Sequence, residues 1–105
     1  MAKKTVVWTV TAIRQRRNIL EYWVQHNSST QYSKKLVKAI NLRVGIIAKH
    51  PEVGKQTSMS ETRESAMGNF SLYYKIIEDK IVIMAFWDNR QNPDEVLKLL
   101  ESNRV

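Results

Sequence analysis

The sequence predicts an α+β fold with a mostly antiparallel sheet. Three observations carry that prediction. A β-branched and aromatic run, Thr5-Val6-Val7-Trp8-Thr9, stands near the start. Two stretches with helical spacing follow it. Strand-like runs then gather in the second half, from about Thr62 to Trp87. The expected order is strand, helix, helix, strand, strand, strand, helix. That is an N-terminal strand, an antiparallel helical hairpin, a three-stranded antiparallel meander and a short C-terminal helix, in one domain over residues 1–105.

Each element has its own local reason. Thr9 or Thr11 can cap the first helix, on which Ile13, Leu20, Trp23 and Val24 recur at helical spacing, with Arg14, Arg17, Asn18, Glu21 and Gln25 mostly opposite. His26-Asn27-Ser28-Ser29-Thr30 breaks the pattern, and Ser29 or Thr30 can cap a second helix from about Gln31 to Lys49. Leu36, Ile40, Val44 and Ile47 form its expected buried stripe. The short connection makes the two helices antiparallel neighbours. His50-Pro51 ends the second helix, because a residue before proline disfavours the helical region.

Lys55 to Ser60 is polar and reads as a loop, and Thr62 to Met67 reads as a short strand before a Gly68-Asn69 turn. In the next run Phe70, Leu72, Tyr74 and Ile76 alternate with Ser71, Tyr73, Lys75 and Ile77, the period of a strand. Glu78-Asp79 makes a turn. Ile81 to Trp87 is apolar throughout, as expected of a strand covered on both faces. Asn92-Pro93-Asp94-Glu95 starts a helix: Asn at the cap, Pro in the first helical position, acids in the first turn. Val96, Leu97, Leu99 and Leu100 dock it.

Composition narrows the function classes. There is no cysteine, and there are two histidines, His26 and His50, so no metal site and no cofactor is expected. No apolar run is long enough to span a membrane, and the Met1-Ala2-Lys3-Lys4 start has no apolar signal core behind it, so a cytoplasmic location is expected. Net charge is +7, unevenly spread. Residues 1–55 carry 11 Lys/Arg against 2 Asp/Glu; residues 56–105 carry 6 against 8. A basic half suits an acidic partner, whether nucleic acid, ribosome or protein, or else a solvated pair of helices.

No phosphate-binding glycine loop, nucleophile elbow or metal-ligand spacing is present. Polar groups instead cluster at strand ends: Arg63, Tyr73, Tyr74, Asp88 and Arg90, with Lys55 nearby. Metal-free RNA cleavage needs a base, cations for the phosphorane and an acid for the leaving oxygen. Arg63 and Arg90 could stabilise charge, Asp88 could be the base, and Tyr73 or His50 the acid. Each also has a plain structural role open to it: Tyr74 in the core, Asp88 on loop amides or paired with Arg90, His50 at a helix end. Trp8, Trp23 and Trp87 could stack bases, although core packing suits their positions better.

The order of elements, the basic hairpin and the tail YYKIIEDKIVIMAFWDNRQNPDEV resemble the RelE/ParE superfamily of bacterial toxins. The likeness runs from Val6 to Leu100 and is most specific from Leu72 to Pro93. Trp8-Thr9 before a helix ending near Tyr22-Trp23 is similar to ParE-like and plasmid-stabilisation members. RelE-like members carry an arginine directly after the aromatic that opens the long strand, where this chain has Ser71 after Phe70. They carry lysines on the preceding strand, where it has Thr62, Arg63 and Glu64. Their loop arginine is matched by Arg90 beside Gln91, and their terminal-helix tyrosine falls at or near Leu97. The terminal His-Tyr pair of YoeB-like relatives is absent.

The resemblance implies a growth-inhibiting toxin of a type II toxin–antitoxin module, closer to ParE-like members, that binds an essential target, DNA gyrase first. The alternative it implies is a RelE-like, ribosome-dependent mRNA endoribonuclease. A basic nucleic-acid-binding module is the third reading. The implied partner is an acidic antitoxin whose extended segment folds on binding. Lys34, Lys35, Lys38, Arg43, Arg63 and Arg90 are the expected antitoxin- or target-binding residues, with an apolar groove beside the hairpin.

Overall fold

The computed structural model describes residues 3–102, so the Met1-Ala2 start lies outside the described residues. Strand β1 (Thr5–Trp8) leads into helix α1 (Val10–Asn27). Thr9 is the cap: its hydroxyl accepts the amide of Ala12 at 3.1 Å, satisfying one of the orphan donors of the first turn. Ser28 ends α1 in the left-handed region, φ 50°, returning its amide to Gln25 and Val24. Helix α2 (Gln31–Lys49) follows at once. Thr30 occupies its cap without a side-chain bond, and Ser29 Oγ accepts the amide of Gln31 instead. Ser33 Oγ donates to the Leu20 carbonyl at 2.7 Å and ties the two helices together.

A 3-10 turn (Pro51–Val53) leads to β2 (Lys55–Gln56), β3 (Arg63–Met67), β4 (Phe70–Ile77), β5 (Lys80–Asp88) and α3 (Pro93–Ser102). The strand order is β1-β5-β4-β3-β2. The meander β3-β4-β5 is antiparallel as expected, and β1 pairs with β5 in parallel, Thr5 opposite Lys80 through Trp8 opposite Ile83. The sheet is therefore mixed. Lys55 and Gln56, expected in a loop, pair with Glu64 and Arg63 as a two-residue edge strand. A polar edge that short is a poor template for unwanted pairing. The helix start at Asn92 forms as read: its side-chain oxygen accepts the amide of Asp94 at 3.0 Å.

Alternation along β4 sorts the two sheet faces. Phe70, Leu72 and Tyr74 join Ile81, Ile83 and Phe86 against Ala12, Leu36, Ile40 and Ile47 of the hairpin. Tyr73 and Ala85 face the other way and pack with Met59, Val96 and Leu100, which seat α3. Burying a large apolar side chain is worth about 1.5–3 kcal/mol, so Val96 and Leu100 hold this short helix more firmly than its intrinsic propensity would. On α1 the expected stripe is rotated. Ile13 is 40% exposed, while Ala12 is fully buried and Ile19 packs at the core margin. The Thr9 cap orients the first turn so that the small Ala12 lets the helix approach the sheet closely.

The register shifts between Tyr73 and Tyr74: Tyr73 faces Ala85 while Tyr74 faces Ile83. Met84 is therefore the extra residue of a bulge, and the faces of β5 exchange there. This explains why Ile81, Ile83 and Phe86 share one face although an even spacing would not give it.

Candidate functional site

Among the described residues, three places gather polar or exposed groups. The first is a cleft of about 450 Å³ between α1 and the end of β5, lined by Gln15, Asn18, Tyr22, Trp23, Asp88 and Arg90 among others. Positions 15, 18, 19, 22 and 23 supply its helical wall, which is the i, i+3, i+4 spacing of one face. Arg90 folds back on Asp88, donating through Nε at 3.0 Å and through its terminal nitrogen to the other carboxylate oxygen, while the Arg90 amide also bonds Asp88. The Arg90 guanidinium lies 4.8 Å from the centroid of the Trp23 ring, a cation–π distance. Hydrogen bonding to Arg90 holds the Asp88 carboxyl below the usual carboxylate range, against a smaller opposing effect of burial. Asp88 is thus a carboxylate paired with Arg90.

The second place lies on the opposite face of the sheet. Ser71, fully buried, donates to Glu64 at 2.6 Å and accepts from Asn89 Nδ2 at 2.9 Å. Tyr73 is 3% exposed beneath α3. Its hydroxyl is pushed up to about 12, first by burial and then by the charge of Glu64 and a hydrogen bond to it. A phenol in that state keeps its proton and is sealed from solvent.

Arg63 belongs to neither place. Its guanidinium donates to the Gly54 carbonyl at 2.7 Å and the Glu52 carbonyl at 3.2 Å, clamping the turn after α2. It stands opposite Tyr74, whereas Asp88 stands opposite Phe70. That is four positions along β4, roughly 13 Å at about 3.3 Å per residue. Tyr74 is core, and its hydroxyl bridges Pro51 and Gly54. His50 is an exposed helix-end residue. Among the sequence-derived candidates the structure joins Asp88 to Arg90 and leaves Arg63, Tyr73 and His50 apart from them.

The third place is the helical hairpin. Lys34, Lys35 and Lys38 are exposed on α2, with Arg43 half-buried. Leu42, 72% exposed, and Ile46 lie among them, so the outer stripe of α2 is both basic and apolar. A groove of about 310 Å³ lined by Arg16, Leu20, Val37, Ile40 and Asn41 runs between the helices. Trp8 packs at the margin of the main core under Arg16, whose guanidinium lies 4.3 Å from the centroid of the ring. Trp87 packs against the α3 cluster and also borders the cleft, whose helical wall carries Trp23. Its ring meets Tyr22, His26 and Tyr32 edge-on or tilted, at 4.9 to 5.4 Å between centroids, forming an aromatic knot at the hairpin tip.

Three parts of these sites were not singled out from sequence: the Glu64–Ser71–Asn89 network, Gln15 and the Gly54–Tyr74 contact. The one signal available was Ser71, a polar residue within an otherwise apolar strand run. No group of three or more metal-binding side chains occurs among the described residues, and none of their helices is long and apolar enough to cross a membrane.

A family model described as the ParE toxin of the type II toxin–antitoxin system parDE matches residues 6–93. The chain belongs to the ParE toxin family. Its fold is similar to a solved structure of a chromosomal ParDE toxin–antitoxin system from P. aeruginosa, with TM-score 0.71 and 17% identity, covering 82% of this chain and 96% of that one. It is also similar to the RelBE2 toxin–antitoxin complex from Mycobacterium tuberculosis, with TM-score 0.58 and 22% identity, covering 83% and 99%. No curated protein matches the chain. This ParE-family chain is thus a toxin of the ParE/RelE superfamily, of the type II toxin–antitoxin kind.

Proposed function

We propose that this toxin acts by binding an essential target, DNA gyrase first, rather than by cutting RNA, and that an acidic antitoxin neutralises it. The observation that carries the reading is the fate of the sheet's charged groups. Cleavage without a metal requires cations converging on one phosphate, with a base and an acid beside it. Here Arg63 is spent on backbone carbonyls, Arg90 is neutralised by Asp88, and Tyr73 is buried with a raised pKa. The face bearing Ser71 presents Glu64, whose charge repels a phosphate. The family match supports the ParE-like side of the choice.

The antitoxin reading is supported by the basic hairpin. Lys34, Lys35, Lys38 and Arg43, interleaved with exposed Leu42 and Ile46, suit a partner segment that is acidic and apolar by turns. The deciding experiment adds purified toxin to a gyrase supercoiling assay and, in parallel, maps messages by primer extension after induction. Inhibited supercoiling with intact messages is the expected result. Unchanged supercoiling at stoichiometric excess removes gyrase as the target, and cleavage between codon positions replaces this reading with a ribosome-dependent nuclease.

A further inference from the structure

We propose that the outer face of α2 docks on duplex DNA, with its lysines on the phosphates of both strands and Gly45 set against the groove between them. The geometry and composition of α2 carry this inference. It rests on the gyrase reading only for where the DNA is met, namely on the duplex that the target holds.

Lys34, Lys38, Gly45 and Lys49 follow one another along α2 at steps of four, seven and four residues, which keeps them on one helical face. Gln31, Lys35 and Leu42 lie beside them. The face is turned away from Leu36, Ile40 and Ile47, which are buried, and all four of its lysines are exposed. From Tyr22 to Pro51 the chain has no Asp or Glu, so no carboxylate on this helix or next to its ends offsets the charge. Among the described residues none of these lysines forms an ion pair.

Gly45 has no reason within the molecule. A Cβ added there meets nothing within 4 Å, and the residue does not have a positive φ. Glycine in a helix interior weakens the helix. What a bare backbone among lysines does allow is the close approach of a partner.

The residue types select that partner. Protein interfaces are depleted of lysine and enriched in arginine and aromatic residues. This face has four lysines, no arginine and no aromatic ring. Arg43 is half-buried on another side of the helix, and Tyr32 leans on Trp23. Single-stranded nucleic acid is held by rings on which its bases stack, and the face offers none. Lysine ammonium groups meet phosphates as point charges. From Lys38 to Lys49 the helix rises roughly 16 Å, at about 1.5 Å per residue. The B-form major groove is ~12 Å wide. Lys34, Lys35 and Lys38 therefore reach one strand while Lys49 reaches the other, with Leu42 and Gly45 over the groove. The major groove of duplex RNA is too deep and narrow for this fit. An antitoxin seated on the hairpin would cover the same lysines and compete with DNA.

The test follows the anisotropy of a short labelled duplex of mixed sequence, titrated with the full chain at several salt concentrations. Log affinity should fall against log salt with a slope of about −3 to −4, close to one unit for each lysine. Lys38→Gln and Lys49→Gln should each flatten that slope by about one. Lys98→Gln, which removes the same charge from the exposed side of α3, should change it by less than about 0.3. Gly45→Leu should weaken binding at least about fivefold by holding the helix off the groove. Its melting temperature should hold or rise, because leucine is the better helix former and its Cβ meets open space.

A slope near zero overturns the inference, as does unaltered binding by Lys38→Gln and Lys49→Gln. Tighter binding of duplex RNA or of single-stranded DNA overturns the duplex DNA assignment. Unaltered binding by Gly45→Leu overturns the placement of Gly45 against the groove. A supercoiling assay on the same samples keeps the target reading separate. DNA binding with unchanged supercoiling overturns gyrase and leaves this inference standing. Inhibited supercoiling without DNA binding by the toxin overturns this inference and leaves gyrase standing.

Discussion

Gly54 and Tyr74 are in contact so close that a side chain at position 54 fits only if Tyr74 or the turn moves. The Tyr74 hydroxyl accepts the Gly54 amide at 2.9 Å and donates to the Pro51 carbonyl at 2.6 Å. A Cβ at residue 54 would stand 2.5 Å from that oxygen. The backbone there, φ −72° and ψ 150°, is one any residue adopts, so glycine is required for space and not for its torsions.

Gly54→Ala should cost about 1–3 kcal/mol by forcing Tyr74 or the turn to move. Tyr74→Phe should cost about 1–3 kcal/mol by leaving buried partners unmatched. The double variant should cost less than the sum, because removing the oxygen relieves part of the clash. Urea unfolding of the three proteins measures this; strict additivity would show that the two residues do not share one contact.

Arg63→Ala should lower stability by about 1–2 kcal/mol, since it strips the Gly54 and Glu52 carbonyls of a charged donor. It should also speed amide exchange in the 51–56 turn. Growth inhibition per folded molecule should be unchanged. A loss of inhibition with stability and turn protection intact would assign Arg63 to the target surface instead.

Asp88 makes a pH-dependent contribution. Its folded pKa lies below the ordinary value, so the stabilisation is present above about pH 4 and is lost as pH falls through the folded value. Released Arg90 should then leave Trp23, over which it lies. Tryptophan fluorescence should change on acidification in the native protein. The same acid-dependent step should be missing in Asp88→Asn. A step of equal size in that variant would mean that another group is responsible.

Tyr73 acts at the other end of the scale. Its pKa is raised from 10.0 to about 12 in the folded chain. Between those values the unfolded chain loses a proton that the folded chain keeps, so stability falls as pH rises. The loss approaches about 2–3 kcal/mol. Tyr73→Phe should flatten this limb of the stability curve between pH 10 and 12. A limb of unchanged slope would place the titration elsewhere.

The fold was legible from local signals where local forces decide. The Asn92 cap, the Phe70–Ile76 alternation and the Leu36–Ile47 stripe follow from backbone hydrogen-bond needs and side-chain periodicity, which neighbouring residues alone impose. Ile13 shows the limit: helical spacing identifies a face to within a turn, and the contact with the sheet chose Ala12 instead. The site was legible in part. Asp88 and Arg90 are two residues apart, so their pairing was open to a reading of the chain. The bonds of Ser71 to Glu64 and of Gln15 to Phe86 were not, because they join residues 7 and 71 positions apart.

By itself, then, the sequence determined the types and order of the main elements, the edge strand β2 excepted, together with the hairpin's charge and the superfamily. These depend on periodicity, capping and composition, all local or additive properties. Tertiary structure alone decided that β1 runs parallel to β5, that Met84 bulges, that Arg63 clamps a turn, and that the end of β5 is an open edge. Each of these depends on which distant backbone groups meet, and the one-residue register of β4 on β5, set by the whole packed core, governs that meeting.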